Sequence, residues 1–360
     1  MRQGRWLAAA VAAAFLLCGC GSLHYYGQAV RGQAQLVVHR RKVEAVVGDP
    51  RTPPGLARRL QLALQARRFA SRQLGLPDNR SYTTYVDLHR PYVVWNVFAT
   101  RPYSVDALPQ CFPIAGCVAY RGWFSESAAQ ADAASLRARG DDVWIGGVSA
   151  YSTLGWFADP ILSSMMHEGD DRLIGTIFHE LAHQLIYVPG DTAFNESFAT
   201  FVQSEGLRQW RAAQGLPPQE SCERTHEQAF TTLVLDLRGR LKALYASGAD
   251  REALAAGKQR EFAAFRERYA QWRNPAWPDI GVYDAWVAAP LNNARLLPFG
   301  LYERWVPAFA RMFARSGRDW RAFYARVRTL AGEPPARRSG RLQALQQDAE
   351  ALRRRTCTEP

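Results

Sequence analysis

Ile177-Phe178-His179-Glu180-Leu181-Ala182-His183-Gln184 is the most informative stretch of this chain. His179 and His183 are four residues apart, so on a helix both imidazoles project from one face and can share one metal ion. Glu180 lies beside them, where a carboxylate can act as a general base on a water molecule. The residues at 176–178 and 181–185 carry no charge and include no Pro or Gly, which predicts a buried helix.

The next helix carries the expected third ligand in Asn195-Glu196-Ser197. Pro189-Gly190 ends the first helix, and Asp191 or Thr192 can cap the second. Two histidines and Glu196 would leave a fourth position open for water or a substrate carbonyl, as in catalytic sites that hold one Zn²⁺ ion. Asp191 and Glu205 are rival ligands, but Asp191 is better placed as a cap, and Glu205 lies about two and a half turns beyond Glu196.

H-E-x-x-H on a helix is the metal-binding motif of zinc peptidases, and the residues after His183 distinguish two kinds of them. The long form H-E-x-x-H-x-x-G-x-x-H requires Gly at 186 and His at 189, where this chain has Ile186 and Pro189. The pattern therefore predicts the thermolysin-like zincin type, in which glutamate is the third ligand.

The N-terminus resembles a bacterial lipoprotein leader. Two arginines precede a short apolar run, residues 6–17, which is shorter than the ~20 residues of a membrane span. Leu17-Cys18-Gly19-Cys20 resembles a lipobox, which implies a signal peptide at 1–19 and lipid on Cys20. We expect a protein of the bacterial cell envelope, anchored at the periplasmic face of the outer membrane. The alternative is an ordinary signal peptide that releases a soluble periplasmic protein.

Four cysteines remain once Cys18 of the leader and the lipid-bearing Cys20 are set aside, an even number that predicts two disulfides in an oxidising compartment. Cys111 and Cys117 bracket a turn-forming stretch, so a local bridge there is the first expectation. That pairing leaves Cys222 with Cys357, although all three pairings are open.

The net charge is +12, and removal of the leader with Arg2 and Arg5 lowers it to +10. This balance suits contact with anionic lipid headgroups. We expect no nucleic-acid partner, because an export signal is present and no recognised binding motif is.

The pattern along the chain predicts the α+β class. Strand character is found at 82–88, 92–98, 118–124 and 142–150, which predicts a small mixed sheet before the metal helices, and 222–355 reads as almost wholly helical. We divide the chain into a helical N-terminal segment (20–80), a catalytic core of sheet plus zinc-binding helices (81–215) and a helical C-terminal region (216–360) packed against it.

One strand is a candidate substrate edge, because zincins commonly lay an extended peptide beside a sheet. We assign this role to Trp144–Tyr151, whose two glycines would permit close backbone approach. An ordinary core strand with a bulge is the equal alternative.

Several motifs resemble those of a family of bacterial lipoproteins catalogued as predicted aminopeptidases. They are Tyr25-Tyr26-Gly27-Gln28-Ala29, residues 111–122, residues 150–157, the metal motif and Asn292-Asn293-Ala294-Arg295-Leu296. The resemblance covers nearly the whole chain and implies a hydrolase with peptide or protein substrates. The chain lacks the G-x-M-x-N signature of well-studied zinc aminopeptidases, so endopeptidase activity stays open.

The predicted reaction is peptide-bond hydrolysis in which Glu180 moves the proton. A further donor to the oxyanion is expected from a distant segment, and Tyr302, Tyr283 and Arg295 are candidates. The alternatives are a cell-wall peptide hydrolase and, from another class, a non-catalytic, lipid-anchored binding protein.

Overall fold

The computed structural model describes residues 25–112, 116–217, 221–276, 283–302 and 304–356. The strands are β1 (Arg41–Lys42), β2 (Thr84–Val86), β3 (Val94–Thr100), β4 (Gln110–Phe112), β5 (Gly116–Val118), β6 (Tyr120–Trp123), β7 (Asp142–Val148) and β8 (Ile161–Leu162). The predicted leader, Cys20 and Cys357 lie outside the described residues. In the part that is described, no helix has the length and apolar character needed to cross a membrane.

Helices account for most of the remaining elements. They are α1 (25–38), α2 (Val43–Val47), α3 (Pro54–Arg72), α4 (Glu126–Ala138), α5 (Asp170–Leu185), α6 (Thr192–Ala213), α7 (Ser221–Tyr245), α8 (Arg251–Ala276), α9 (Asp284–Ala288), α10 (Leu297–Tyr302), α11 (Val306–Arg315), α12 (Trp320–Ala331) and α13 (Pro335–Thr356). Two 3₁₀ turns, Ser163–His167 and Asn293–Leu296, complete the order. The α+β class is as predicted.

The described strands form three small sheets, where the sequence predicted one mixed sheet. The sheet with strand order β1-β2-β8 is mixed, because β1 runs antiparallel to β2 and β8 runs parallel to it. The sheet with strand order β6-β3-β7 is antiparallel throughout. The third sheet is the antiparallel hairpin of β4 and β5. The prediction of a single sheet was wrong because strand character is local, whereas pairing depends on contacts distant in sequence.

The antiparallel sheet β6-β3-β7 separates a helix from a cavity. Alternate residues point to opposite faces of a strand. One face packs against α4 in a cluster that contains Trp95, Val97, Trp123, Val143 and, from the helix, Ala129, Ala133 and Leu136. The opposite face, which carries Val94, Asn96, Tyr120, Gly122 and Val148, borders the cavity. The register places Gly122 directly opposite Asn96.

The largest apolar cluster surrounds α5 and α6. Phe178 of α5 and Phe198 of α6 lie in this cluster. Six further helices contribute to it, with Leu36, Val43, Leu60, Phe309, Phe323 and Leu342 among their residues. A second cluster is formed mainly by α7, α8 and α9, with Phe230, Leu241, Phe265 and Val287. The helices α11 to α13 therefore support the two metal-bearing helices directly, while α7 and α8 form a core of their own.

Gly206 permits the close packing around α5 and α6. A Cβ at this position of α6 would lie 2.7 Å from Leu74 Cδ1 and 3.0 Å from Phe178 Cδ2. Both neighbours are fully buried, so neither can move away without disturbing the core. Gly239, on the exposed side of α7, has no atom within 4 Å of such a Cβ.

We predict opposite effects of the same substitution at these two glycines. Gly206→Ala introduces the clash and should lower the free energy of unfolding by about 1–3 kcal/mol. Gly239→Ala should raise it by up to about 1 kcal/mol, because alanine has the better helix propensity. Urea denaturation followed by circular dichroism compares the two variants. Equal stabilisation of both would contradict the packing described for α6.

Candidate metal centre

Two helices bring the three predicted metal ligands together. His179 and His183 project from one face of α5, and Glu196 projects toward them from the first turns of α6. His183 Nε2 lies 3.1 Å from His179 Nε2, and Glu196 Oε2 lies 3.3 Å and 3.6 Å from these two nitrogens. All three side chains are buried, so the cluster of His179, His183 and Glu196 could hold a metal ion.

The spacing of the three ligand atoms fits a tetrahedral ion. Bonds of about 2.0–2.1 Å from a central ion would place two ligand atoms roughly 3.3 Å apart at the tetrahedral angle. The three observed separations, 3.1, 3.3 and 3.6 Å, lie around that value. Three protein ligands in this arrangement leave one tetrahedral position without a protein ligand, as is typical of catalytic metal sites.

The charges of the cluster compensate one another. Burial by itself would raise the pKa of the Glu196 carboxyl, but the neighbouring His183 and His179 outweigh it and lower this pKa to about 2. Burial would likewise lower the pKa of His183, yet the Glu196 carboxylate raises it. Glu196 is therefore an anion at neutral pH, which is the form that binds a metal ion.

Gln203 orients one of the two imidazoles. His179 Nδ1 lies 3.1 Å from Oε1 of Gln203, which is about two turns further along α6 than Glu196. Because an amide oxygen only accepts, Nδ1 carries the proton and the lone pair of Nε2 points into the cluster. His183 Nδ1 is buried and has no hydrogen-bond partner among the described residues, so Gln203 supports one imidazole of the pair.

The residues on either side of Glu196 hold the short connection between α5 and α6. The Asn195 amide accepts a hydrogen bond from Val188 N and donates one to Val188 O, both at 2.8 Å. Ser197 Oγ, on the other side, accepts from Trp305 N at 3.0 Å. Asn195 therefore fixes the loop that sets the start of α6, and Ser197 joins α6 to the segment before α11.

The two rival ligands have other partners. Asp191 caps α6 by accepting from Phe194 N at 3.1 Å, and its second oxygen forms a 2.8 Å ion pair with the buried Arg338. Glu205 binds Arg208 and Gln209 on α6 itself. Asp191 is a helix cap, as the sequence favoured, and neither carboxylate lies in the cluster.

Glu180 lies on the wall of the cavity that the cluster faces. This cavity has a volume of about 300 Å³ and is bordered by α5, α6 and the inner face of the sheet β6-β3-β7. Burial raises the pKa of the Glu180 carboxyl, and His179 and His183 oppose the rise. A carboxylate beside the metal ligands, in a cavity with apolar walls, has the surroundings of a general base.

The cavity contains polar residues that the sequence did not single out. Asn96 is 8% exposed, and no hydrogen bond to its side-chain amide is found among the described residues. Tyr120, Tyr151 and Tyr187 line the same space, and burial, followed by the charge of Glu196, raises the pKa of Tyr120 well above its ordinary value. The sequence contained one signal, since Tyr120 and Tyr151 lie within the motifs that carry the family resemblance.

Two of the candidate oxyanion donors, Tyr283 and Arg295, are not among the described residues that line the cavity. The Tyr283 ring stacks on Phe230 with centroids 3.8 Å apart, and the Arg295 guanidinium covers the Trp286 ring. The Tyr302 side chain lies outside the described residues. The structure does not support either candidate as the oxyanion donor, because proximity in sequence to Asn292-Asn293 does not bring a side chain to α5.

The glycines of β7 accommodate the protein's own aromatic rings. A Cβ on Gly147 would lie 2.3 Å from the Tyr92 ring, and one on Gly146 would lie 2.6 Å from the Trp144 ring. The space next to both glycines is therefore filled, which removes the reason for assigning β7 as the substrate edge. The end of β7 and the residues that follow it still contribute Val148, Ala150 and Tyr151 to the cavity wall.

A disulfide joins Cys111 and Cys117 across the β4-β5 hairpin. Phe112, beside this bridge, and Val118 both line the cavity, so the hairpin forms part of the cavity wall. The side chain of Cys222 and the whole of Cys357 lie outside the described residues, and their pairing stays a prediction.

A family model described as "Putative aminopeptidase" matches residues 24–342, and the chain belongs to this family. The match includes α5, α6 and the sheet that borders the cavity. No curated protein and no solved structure matches the chain.

We predict that Glu196→Gln abolishes metal binding while Glu205→Gln preserves it. The first substitution removes the anionic ligand, and we expect affinity to fall more than about 100-fold, since loss of an outer-shell partner alone costs roughly 10–100-fold. Metal content after dialysis, measured by mass spectrometry, compares the two variants, and circular dichroism controls for folding. A folded Glu196→Gln protein with full metal content would show that the ligand set is different.

Proposed function

We propose that this member of the family is a zinc-dependent metallopeptidase of the glutamate-ligand zincin type, acting on peptides at the bacterial cell envelope. The observation that carries the proposal is the buried cluster of His179, His183 and Glu196 with Glu180 beside it at the wall of a cavity. Two imidazoles and one carboxylate are a ligand set that zinc accepts in peptidases, and their spacing fits its bond lengths.

Zn²⁺ held by these three residues would supply Lewis acidity, which polarises a scissile carbonyl and makes water more acidic. The residues of the chain supply the rest of the reaction. His179, His183 and Glu196 orient the site, and the two helices that carry them exclude bulk water from one side. The sheet β6-β3-β7 forms the opposite wall, where a substrate would lie.

Glu180 is the proposed proton carrier. Its carboxylate takes a proton from the attacking water and delivers it to the nitrogen of the leaving amine, so the same group serves as base and then as acid. The raised pKa caused by burial makes the carboxyl a better proton acceptor at neutral pH than an exposed glutamate.

The cavity favours an uncharged peptide segment. Apart from the metal ligands and Glu180, its described lining is apolar, aromatic or neutral, with Val94, Phe112, Phe124, Tyr151 and Leu154 among the larger side chains. The Asn96 amide can donate to a substrate carbonyl and accept from a substrate N–H. Among the described lining residues, only Glu180 and Glu196 carry a carboxylate that could meet a free substrate amine.

Lipid anchorage through Cys20 at the outer membrane is the proposed location. The Cys111–Cys117 disulfide supports an exported protein, because such bridges persist in oxidising compartments such as the periplasm. The lipobox-like Leu17-Cys18-Gly19-Cys20 supports the anchor.

We predict that Glu180→Gln abolishes peptide hydrolysis without loss of zinc. The amide cannot accept the proton from water, so kcat should fall by about 10²–10⁴-fold, while the three ligands are unchanged. A diverse peptide library, digested by the zinc-loaded chain and by the variant, is read by mass spectrometry.

The products of that digestion separate the activities. Single residues released from amino ends by the unmutated protein would establish an aminopeptidase, and internal cuts would establish an endopeptidase. Equal cleavage by Glu180→Gln would rule out the assigned base. No cleavage by either zinc-loaded protein would contradict hydrolysis of these peptides.

We predict that Tyr120→Phe lowers kcat and that Tyr283→Phe does not. Tyr120 faces the cavity on the wall opposite Glu196, so its hydroxyl can stabilise the oxyanion, and such donors contribute about 10²–10³-fold to kcat. Tyr283 packs on Phe230, away from the cavity. Steady-state kinetics on one peptide that is cleaved in the library digestion gives kcat for both variants. A larger loss for Tyr283→Phe would contradict this placement.

A further inference from the structure

The inner face of α1 is fixed to the body of the protein beside the cavity. Phe124 N donates to Gln28 Oε1 at 2.9 Å, and Gly32 lies so close to the Phe124 ring that a Cβ would be 2.2 Å from it. The Tyr25 ring contacts those of Trp123 and Phe112. Tyr25 and Ala29 also line the cavity, so α1 is one of its walls.

The outer face of the same helix is apolar and exposed. Tyr26, Val30 and Val37 are separated by four and seven residues, which places them on one side of a helix. Their exposed fractions are 41%, 69% and 40%, and the neighbouring Val38 is 77% exposed. We call Tyr26, Val30, Val37 and Val38 the outer stripe of α1.

The charge around the outer stripe is positive. Between residues 25 and 42 the chain has Arg31, Arg40, Arg41 and Lys42 and no acidic residue. Arg31 and Lys42 are exposed, whereas the Arg40 guanidinium is partly buried and Arg41 shares the carboxylate of Asp49 with Arg51. An apolar stripe with flanking cations is the composition of a helix that lies in the interface of an anionic bilayer.

The predicted lipid attachment point is near this helix. Tyr25 follows Cys20 by five positions, and five extended residues span at most about 18 Å. A lipid on Cys20 would therefore hold the start of α1 close to the headgroups. Docking of the helix would add a second contact to this anchor and would set the orientation of the protein on the bilayer.

We propose that the outer stripe of α1 is a membrane-docking surface that seats the protein on an anionic bilayer, with the candidate active-site cavity directly behind it. This inference rests on the proposed peptidase and its anchor. Because Tyr25 and Ala29 of the same helix line the cavity, docking holds the cavity within the thickness of one helix, about 10 Å, of the membrane surface. The substrate class is then a peptide segment held at the bilayer, such as the segment next to a lipid anchor or a membrane span.

Photocrosslinking to lipid tests the docking surface without relying on activity. The photoreactive residue p-benzoylphenylalanine replaces Val37 in the full chain, which is isolated from membranes and reconstituted into vesicles of phosphatidylethanolamine and phosphatidylglycerol. The same residue at Leu235 on α7 is the matched control, since Leu235 is 37% exposed and Val37 is 40% exposed. We expect lipid adducts at position 37 at about ten times the level at position 235, in line with the partition of an interfacial helix.

Two outcomes would overturn the proposal: equal lipid adducts at both positions, or adducts at position 37 to a second copy of the chain in place of lipid. Intact mass of the isolated chain reports separately whether Cys20 carries lipid, so a failed anchor is distinguished from a failed docking surface. Failure of the peptidase itself is seen only in the digestion with soluble peptides.

A second measurement connects docking with substrate. The double variant Val30→Glu and Val37→Glu, at two exposed positions, should cleave soluble peptides as well as the unmutated chain does. On a peptide anchored to the same vesicles through a lipid, its cleavage rate should fall about tenfold, as lost interfacial binding requires. An unchanged rate on the anchored peptide, or an equal loss on both substrates, would contradict the role of α1.

Discussion

The close packing of α5 against α6 is the constraint on which the rest of the structure depends. Two imidazoles and a carboxylate are withdrawn from water at this contact, and burial of such groups is tolerated only when their charges and hydrogen bonds compensate. Their ligand atoms approach within 3.1–3.6 Å, which requires the helix axes to come close. Gly206, further along α6, allows this helix to pack closely against Phe178 of α5.

Three contacts outside the cluster hold the start of α6 in place. Asn195 ties the preceding loop, Ser197 binds the segment before α11, and Asp191 pairs with Arg338 of α13. The three residues Asn195-Glu196-Ser197 thus combine one ligand with two structural anchors. A substitution in the C-terminal helices can therefore act on the metal centre through the position of α6, at a distance from any ligand.

The cavity joins parts of the chain that are far apart in sequence. One wall is α5 and α6, the opposite wall is the inner face of β6-β3-β7, and α1 and the disulfide-bonded hairpin close the remaining sides. The arrangement accounts for the family motifs at residues 25–29, 111–122 and 150–157, all of which contribute to this one space. It also places a peptide-sized cavity beside the helix that follows the predicted lipid attachment site.

The cluster of His179, His183 and Glu196 could be predicted from the sequence because its information is local. The four-residue spacing of His179 and His183, and Glu196 at the start of the next helix, specify one face of each helix without reference to the rest of the fold. The α+β class and most strand positions could likewise be predicted from local sequence patterns. The division into three sheets, the role of Asn96 and Tyr120, and the displacement of Tyr283 and Arg295 from the site were decided only by tertiary structure. Strand register and helix packing select which face of each element meets the centre, and these contacts join residues too distant in sequence to leave a local pattern.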